Sequence, residues 1–167
     1  MLKFKDFLEE SYLDSNFAPL YHFTNNYYLL NILKENILKV GWFDNPFFGK
    51  SVKIVSFSRI NRININNYKN DLNVILCLDK NRMIIDGYKF YPYDYFIHSG
   101  KETYSKSSIY RFEPFEFEEA SVDNIIDIDK YIIYVDFIED SLFDSPDSIN
   151  ILKKKNIPIY EAGRRIF

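Results

Sequence analysis

The chain has 167 residues, 47% of them hydrophobic, and a formal net charge of −3. That length supports one domain with a real core, that apolar content excludes a disordered chain, and a pI of about 5.4 excludes a global electrostatic footprint for nucleic acid. Cys77 is the single cysteine, which excludes an internal disulfide framework and a cysteine-built zinc site.

No stretch approaches the ~20 apolar residues that span a bilayer. Lys3, Lys5 and Asp6 interrupt any signal-peptide core at the start. The expected setting is therefore soluble, reducing and cytoplasmic. With 14 Tyr and 16 Phe, not every ring can be buried, so some are expected to line a groove. Lys153-Lys154-Lys155 and Arg164-Arg165 are short basic pieces and read as solvated surface.

Residues 1–17 read as a leader, with Phe4, Phe7 and Leu8 on one side of an amphipathic helix over residues 2–12. Residues 18–167 read as a single domain. After Pro19, Leu20-Tyr21-His22-Phe23-Thr24 is a strand. Asn25 caps a helix over residues 28–36 that turns Leu29, Ile32 and Leu33 to one side. Gly41 closes the extended piece that follows, and Asn45-Pro46 and Gly49 mark residues 42–50 as loop. The Trp42, Phe43, Phe47 and Phe48 rings in that loop plug the core or wall a ligand site.

Residues 52–58 are a strand and residues 59–70 irregular. Residues 73–78 are a strong strand, apolar from Val74 through Leu78 and therefore central, with Cys77 buried as a small apolar residue. Asp79 caps a short helix reaching Met83. A strand over residues 88–91 stops at Pro92. Residues 93–106 are loop and residues 107–111 a helical turn. Residues 132–138 are a β-branched strand. Ser145-Pro146-Asp147 starts a helix over about residues 148–155, and residues 157–160 are a last short strand. The economical fold class is one α+β domain.

Phe115-Glu116-Phe117-Glu118-Glu119 alternates phenylalanine with glutamate. In an extended chain Glu116 and Glu118 share one face, about 7 Å apart from the strand rise, and the phenylalanines share the other. Two carboxylates that close call for an opposing cation or a shifted pKa. A charged edge strand is the bland reading of the same pattern. Two more strands show the same alternation: His22 and Thr24 sit opposite Tyr21 and Phe23, and Ser56 and Ser58 sit opposite Val55 and Phe57. Three polar faces of this kind suit a sugar-rich ligand, and a carboxylate beside a ribose suits chemistry through an oxocarbenium-like transition state. Two separated histidines make no zinc ligand set, and no phosphate loop or G-x-G-x-x-G is present.

The ordered set resembles the ADP-ribosyltransferase fold. Leu20-Tyr21-His22-Phe23-Thr24 with the helix behind it and Asn36-Ile37-Leu38 is similar to the opening of these proteins. Val55-Ser56-Phe57-Ser58-Arg59 is similar to their second motif, and Glu116-Phe117-Glu118 to the segment carrying the catalytic glutamate. Residues 125–134 resemble the piece that follows this glutamate in DNA-targeting toxins and small phage-encoded mono-ADP-ribosyltransferases. The resemblance implies two packed, roughly perpendicular β-sheets with flanking helices and NAD, as substrate and with no metal, in a central cleft. It implies that His22, with Tyr21 and Thr24 beside it, holds the adenosine ribose, that Ser56 and Ser58 shape the nicotinamide side, and that Arg59 reaches the pyrophosphate. Glu118 is implied as the catalytic carboxylate, with Glu116 orienting the acceptor and Glu119 as the rival if the register slips. Tyr27, Trp42, Phe47 and Tyr68 remain open as the ring that stacks on nicotinamide. The activity implied is transfer of ADP-ribose from NAD to a host protein or nucleic acid, with no membrane partner. The alternatives are an inactive nucleotide-binding or host-defence-inhibiting protein of the same fold, and a small interaction protein docking through its first helix.

Overall fold

The computed structural model describes residues 19–44, 51–58, 72–92 and 118–167. Strand β1 (Pro19–Thr24) runs into helix α1 (Asn26–Glu35). Strands β2 (Ile37–Leu38), β3 (Gly41–Asp44) and β4 (Ser51–Ser58) follow. β5 (Val74–Asp79) leads directly into α2 (Lys80–Ile85). Next come β6 (Tyr91–Pro92), β7 (Glu118–Ser121), β8 (Ile125–Ile126) and a 3₁₀ turn at Ile128–Lys130. β9 (Ile132–Phe137), a second 3₁₀ turn at Glu139–Leu142, α3 (Pro146–Lys154) and the hairpin of β10 (Ile159–Glu161) and β11 (Arg164–Arg165) complete the chain.

Nine strands form one hydrogen-bonded sheet in the order β11-β10-β9-β5-β1-β4-β7-β6, with β3 paired to the first half of β4. The sheet is antiparallel apart from β9 against β10, and β2 and β8 make a small second sheet. A mainly antiparallel sheet with few helices is an α+β arrangement. Two junctions in it differ sharply. β1 pairs with β5 through six consecutive residues, whereas among the described residues its ladder with β4 is the pair Tyr21–Ser58, with no match on the Thr24 side of it. On the Thr24 side of Tyr21 the two strands part, which leaves a seam between β1 and β4 there.

The central position of β5 follows from its sequence. Val74-Ile75-Leu76-Cys77-Leu78 is apolar at every position, and all five residues are buried, so both faces must be covered. Val74, Leu76 and Leu78 form the core with Leu20 of β1 and Val135 and Phe137 of β9. Helix α1 covers them with Leu29, Ile32 and Leu33, and α3 with Leu152. The 29/32/33 spacing puts those three side chains on one helix face.

The helix ends read as their sequences suggest. Asn25 Oδ1 accepts the Tyr28 amide at 3.0 Å, satisfying one orphan donor of the first turn. Asn36 takes a left-handed conformation, φ 56°, and stops the helix. Its side chain also accepts the Asp129 amide at 3.1 Å, so the same residue ties α1 to the turn before β9. Asp79 Oδ1 accepts the Arg82 amide at 3.0 Å and caps α2. Pro146 opens α3 at a position where a missing N–H costs nothing.

Three expectations need correction. The start of the 42–50 loop is strand β3, because its backbone pairs with β4 from Gly41–Ile54 to Asp44–Ser51. Trp42 on that strand is 71% exposed with Lys53 Nζ 4.7 Å above its ring, so it does not plug the core. The strand expected over residues 88–91 begins at Tyr91 and includes Pro92, which the sheet tolerates because among the described residues β6 is an outermost strand. The Tyr88 hydroxyl instead accepts the Ile126 amide at 3.0 Å. The helix over residues 2–12, the Phe47 and Phe48 rings, the irregular stretch 59–70, the loop 93–106 and the turn 107–111 lie outside the described residues. Lys153, Lys154, Lys155, Arg164 and Arg165 are exposed, as expected. Among the described residues no helix is long and apolar enough to cross a membrane.

Leu76 is fully buried at the middle of this sheet. Leu76→Ala is expected to cost about 2–5 kcal/mol, the range for a truncated core leucine. Urea denaturation read by circular dichroism measures it, and a loss below about 1 kcal/mol would show that β5 is not the packing centre.

Candidate functional site

The seam between β1 and β4 is where the polar residues of β1 come into use. One residue past the Tyr21–Ser58 pair, the His22 side chain rather than a main-chain amide meets β4. His22 Nδ1 lies 3.0 Å from the Ser56 carbonyl oxygen. A carbonyl accepts, so Nδ1 carries the proton and Nε2 presents its lone pair. Desolvation of the half-buried ring holds the imidazole below its ordinary pKa of 6.5, so the neutral form dominates at pH 7. Its edge packs against Phe57, with centroids 6.0 Å apart.

A pocket of about 460 Å³ opens at the end of β1. His22, Thr24 and Asn25 line it from the strand, and Tyr28, Asn31 and Glu35 from α1. Ile32, Leu38 and Leu72 supply apolar wall, and Lys39 joins from beyond the helix. A concave apolar cavity of this size with a few convergent polar groups is the usual form of a small-molecule site.

The three polar faces do not line up as expected, because register assigns them to both sides of the sheet. β1 and β5 pair His22 with Leu76 and Thr24 with Val74, so His22 and Thr24 belong to the helix-covered face, with Leu20. Tyr21 pairs with Ser58, and Ser58 with Glu118. Ser56, Ser58 and the position of Glu118 therefore share the opposite face with Tyr21. Thr24 is buried and Tyr21 and Phe23 only half-buried, the reverse of the expected burial on this strand. Leu20 has the same parity as His22 and Thr24, and α1 folds back over that parity.

Tyr21 leaves the pocket for a row of its own. It pairs with Cys77, and Cys77 with Tyr134, and the three side chains hydrogen-bond with one another. Burial pushes the Cys77 thiol up to about 11 and raises the Tyr21 phenol.

Glu119 pairs with Phe57 and so stands on the His22 side of the sheet. It is 1% exposed, and both of its oxygens lie 2.7 Å from Lys80 Nζ. Phe90 closes over this ion pair, its ring 5.9 Å from Lys80 Nζ and 5.6 Å from the Phe57 ring. Across two interstrand spacings, Glu119 and His22 are roughly 10 Å apart. Glu116 and Arg59 lie outside the described residues, as do Phe47 and Tyr68 among the candidate stacking rings. Tyr27 is 71% exposed and packs edge-on against Tyr28.

Sequence reasoning missed Tyr28, Asn31, Glu35, Lys39 and Lys80. Positions 28, 31 and 35 carry the spacing of one helix face, but nothing in that spacing separates a pocket wall from ordinary surface. Lys80 left a fainter sign. A lysine at the first position of a helix opposes the macrodipole and needs a compensating anion, which is Glu119.

Two measurements test this geometry. Removing either member of the buried pair, as in Lys80→Ala or Glu119→Ala, is expected to cost about 3–5 kcal/mol because it strands the other charge. The double replacement Lys80→Met with Glu119→Leu is expected to recover most of that loss in urea titrations. For His22, the unfolded chain takes up a proton below pH 6.5 while the folded chain resists it until its own lower pKa. Stability contributed by neutral His22 is thus complete above pH 6.5 and lost as pH falls below it. A His22→Gln variant should show a flatter stability profile between pH 6.5 and 5, and an unchanged slope would contradict the burial of this ring. No protein-family model, curated protein or solved structure matches this chain, so its function is argued from these residues themselves.

Proposed function

We propose that the protein is a mono-ADP-ribosyltransferase. It takes NAD as substrate, breaks the bond between nicotinamide and its ribose, and passes ADP-ribose to a macromolecular acceptor, protein or nucleic acid. The bonding electron pair leaves with nicotinamide, and the positive charge that develops on the ribose is met by a carboxylate. The acceptor would be met in the cytoplasm of an infected bacterium, the setting of the phage-encoded enzymes the sequence resembles.

The observation that carries this reading is the seam. Past Tyr21–Ser58, toward Thr24, β1 parts from β4, and a pocket of about 460 Å³ opens at that end of β1 with His22 and Thr24 in its wall. Of the three motifs the first, His22 and Thr24, borders this opening. Neutral His22, its Nδ1 committed to Ser56, offers Nε2 to a ribose hydroxyl. Ser56, Ser58 and the Glu118 position are on the Tyr21 face of the sheet, and in this reading they would hold the nicotinamide ribose. Glu118 takes the catalytic role in this reading, with Glu116 orienting the acceptor. Glu119 is less suited, since Lys80 already neutralises it.

That same ion pair favours a second reading, a nucleotide-binding protein without turnover, should the transferring carboxylate be Glu119 after all. Labelled NAD incubated with bacterial lysate separates the two. Wild type is expected to label an acceptor and release nicotinamide, and Glu118→Ala to lose at least about a hundredfold in rate, as when a group stabilising transition-state charge is removed. Equal labelling by both proteins would remove Glu118 from the mechanism. NAD binding in a calorimeter with no nicotinamide released would favour the binding protein.

A further inference from the structure

Among the described residues lining the pocket at the end of β1, the formal charges stand at one end. Of the described residues lining it, Lys39 is the one lysine or arginine and Glu35 the one carboxylate, and they form an ion pair with each other. Both are open to water, Lys39 at 60% and Glu35 at 47% exposed. Solvent screens such a pair, and it adds little to the stability of the fold. Its partners are therefore available for exchange at small cost.

The rest of the wall is ordered along α1. Tyr28, Asn31 and Glu35 share a helix face, and Tyr28 and Glu35 are about 10 Å apart along its axis. An exposed ring and an amide thus stand at one end, and the charges at the other. His22 of β1, neutral and presenting an acceptor nitrogen, also borders the cavity. A ligand with a ring at one end, hydroxyls between and negative charge at the other fits this sequence of groups.

We propose that the Glu35–Lys39 pair reads the phosphates of this ligand: Lys39 leaves Glu35 for an entering diphosphate, and Glu35 limits how tightly the phosphates are held. The inference rests on the reading that the pocket takes a nucleotide. A diphosphate outbids a single carboxylate for Lys39 because it carries more charge and more acceptor oxygens. Glu35, once vacated, repels the same phosphates. The two side chains therefore act on affinity with opposite signs, and both effects weaken as salt screens them.

The test is calorimetric titration of the full chain with adenosine, ADP and NAD, for wild type, Lys39→Gln and Glu35→Gln. Both positions are exposed, so both variants are expected to fold with wild-type circular dichroism. ADP should bind wild type more tightly than adenosine does. Lys39→Gln should shrink that advantage about three- to tenfold and Glu35→Gln should enlarge it about threefold, the scale of a screened charge-assisted contact, with adenosine affinity unchanged in both. An ADP advantage that neither variant alters would overturn the role of this pair and leave the nucleotide reading standing. So would a wild type that binds adenosine and ADP equally. Absence of binding by all three ligands would overturn the nucleotide reading and this inference with it.

Discussion

The six-residue ladder between β1 and β5 is the constraint on which the rest of the structure depends. β5 is apolar on both faces and cannot leave the interior. Whatever pairs with it inherits a fixed inside and outside. Leu20 opposite Leu78 therefore commits His22 and Thr24 to the helix side, and Tyr21 opposite Cys77 commits the tyrosine to the other. Shifting the register by one residue would exchange the two sets entirely. The contents of the pocket are in this sense decided by Leu20, a residue that does not line it.

The other side of β1 parts from β4 beyond Tyr21. Among the described residues the two strands meet through the Tyr21–Ser58 pair and one side-chain contact, His22 to the Ser56 carbonyl. A strand pair that opens early would leave carbonyl groups without donors. His22 supplies one donor without closing the seam. This is also why a neutral imidazole belongs there, since the neutral tautomer can donate to Ser56 and still present an acceptor outward. The buried Lys80–Glu119 pair spans the seam, fastening α2, which continues from β5, to β7 beneath Phe57 and Phe90.

Much of this fold was legible in the sequence, for identifiable reasons. The apolar run of β5, the capping asparagine before α1, Asp79 before α2 and Pro146 at the start of α3 each act through neighbours in the chain, and local physics suffices to read them. The parity of β1 was not read correctly. Alternation tells which residues share a face, yet the side that meets the helices depends on a partner strand fifty residues away. Leu20 carried the information, because an apolar residue at the head of a His-and-Thr face makes that face a poor candidate for solvent. β3 escaped for a related reason: Gly41 and Asp44 leave only Trp42 and Phe43 as strand-favouring residues, and the stretch is extended because β4 lies beside it. In the site, His22 and Thr24 were found by motif, whereas Glu35 and Lys39 matter only through what the end of β1 brings near them.

Cys77 is the one thiol in the chain, and it is sealed within the sheet at 1% exposure, its pKa pushed up to about 11. Reactivity of a cysteine follows its thiolate and its access to solvent, and this residue has neither at neutral pH. The native protein is accordingly silent toward maleimides and mild oxidants. A cysteine introduced at an exposed position becomes the sole chemically addressable point on the molecule. Spectroscopic probes can therefore be placed on either bank of the seam, one at a time or as a pair, without first removing anything from the core.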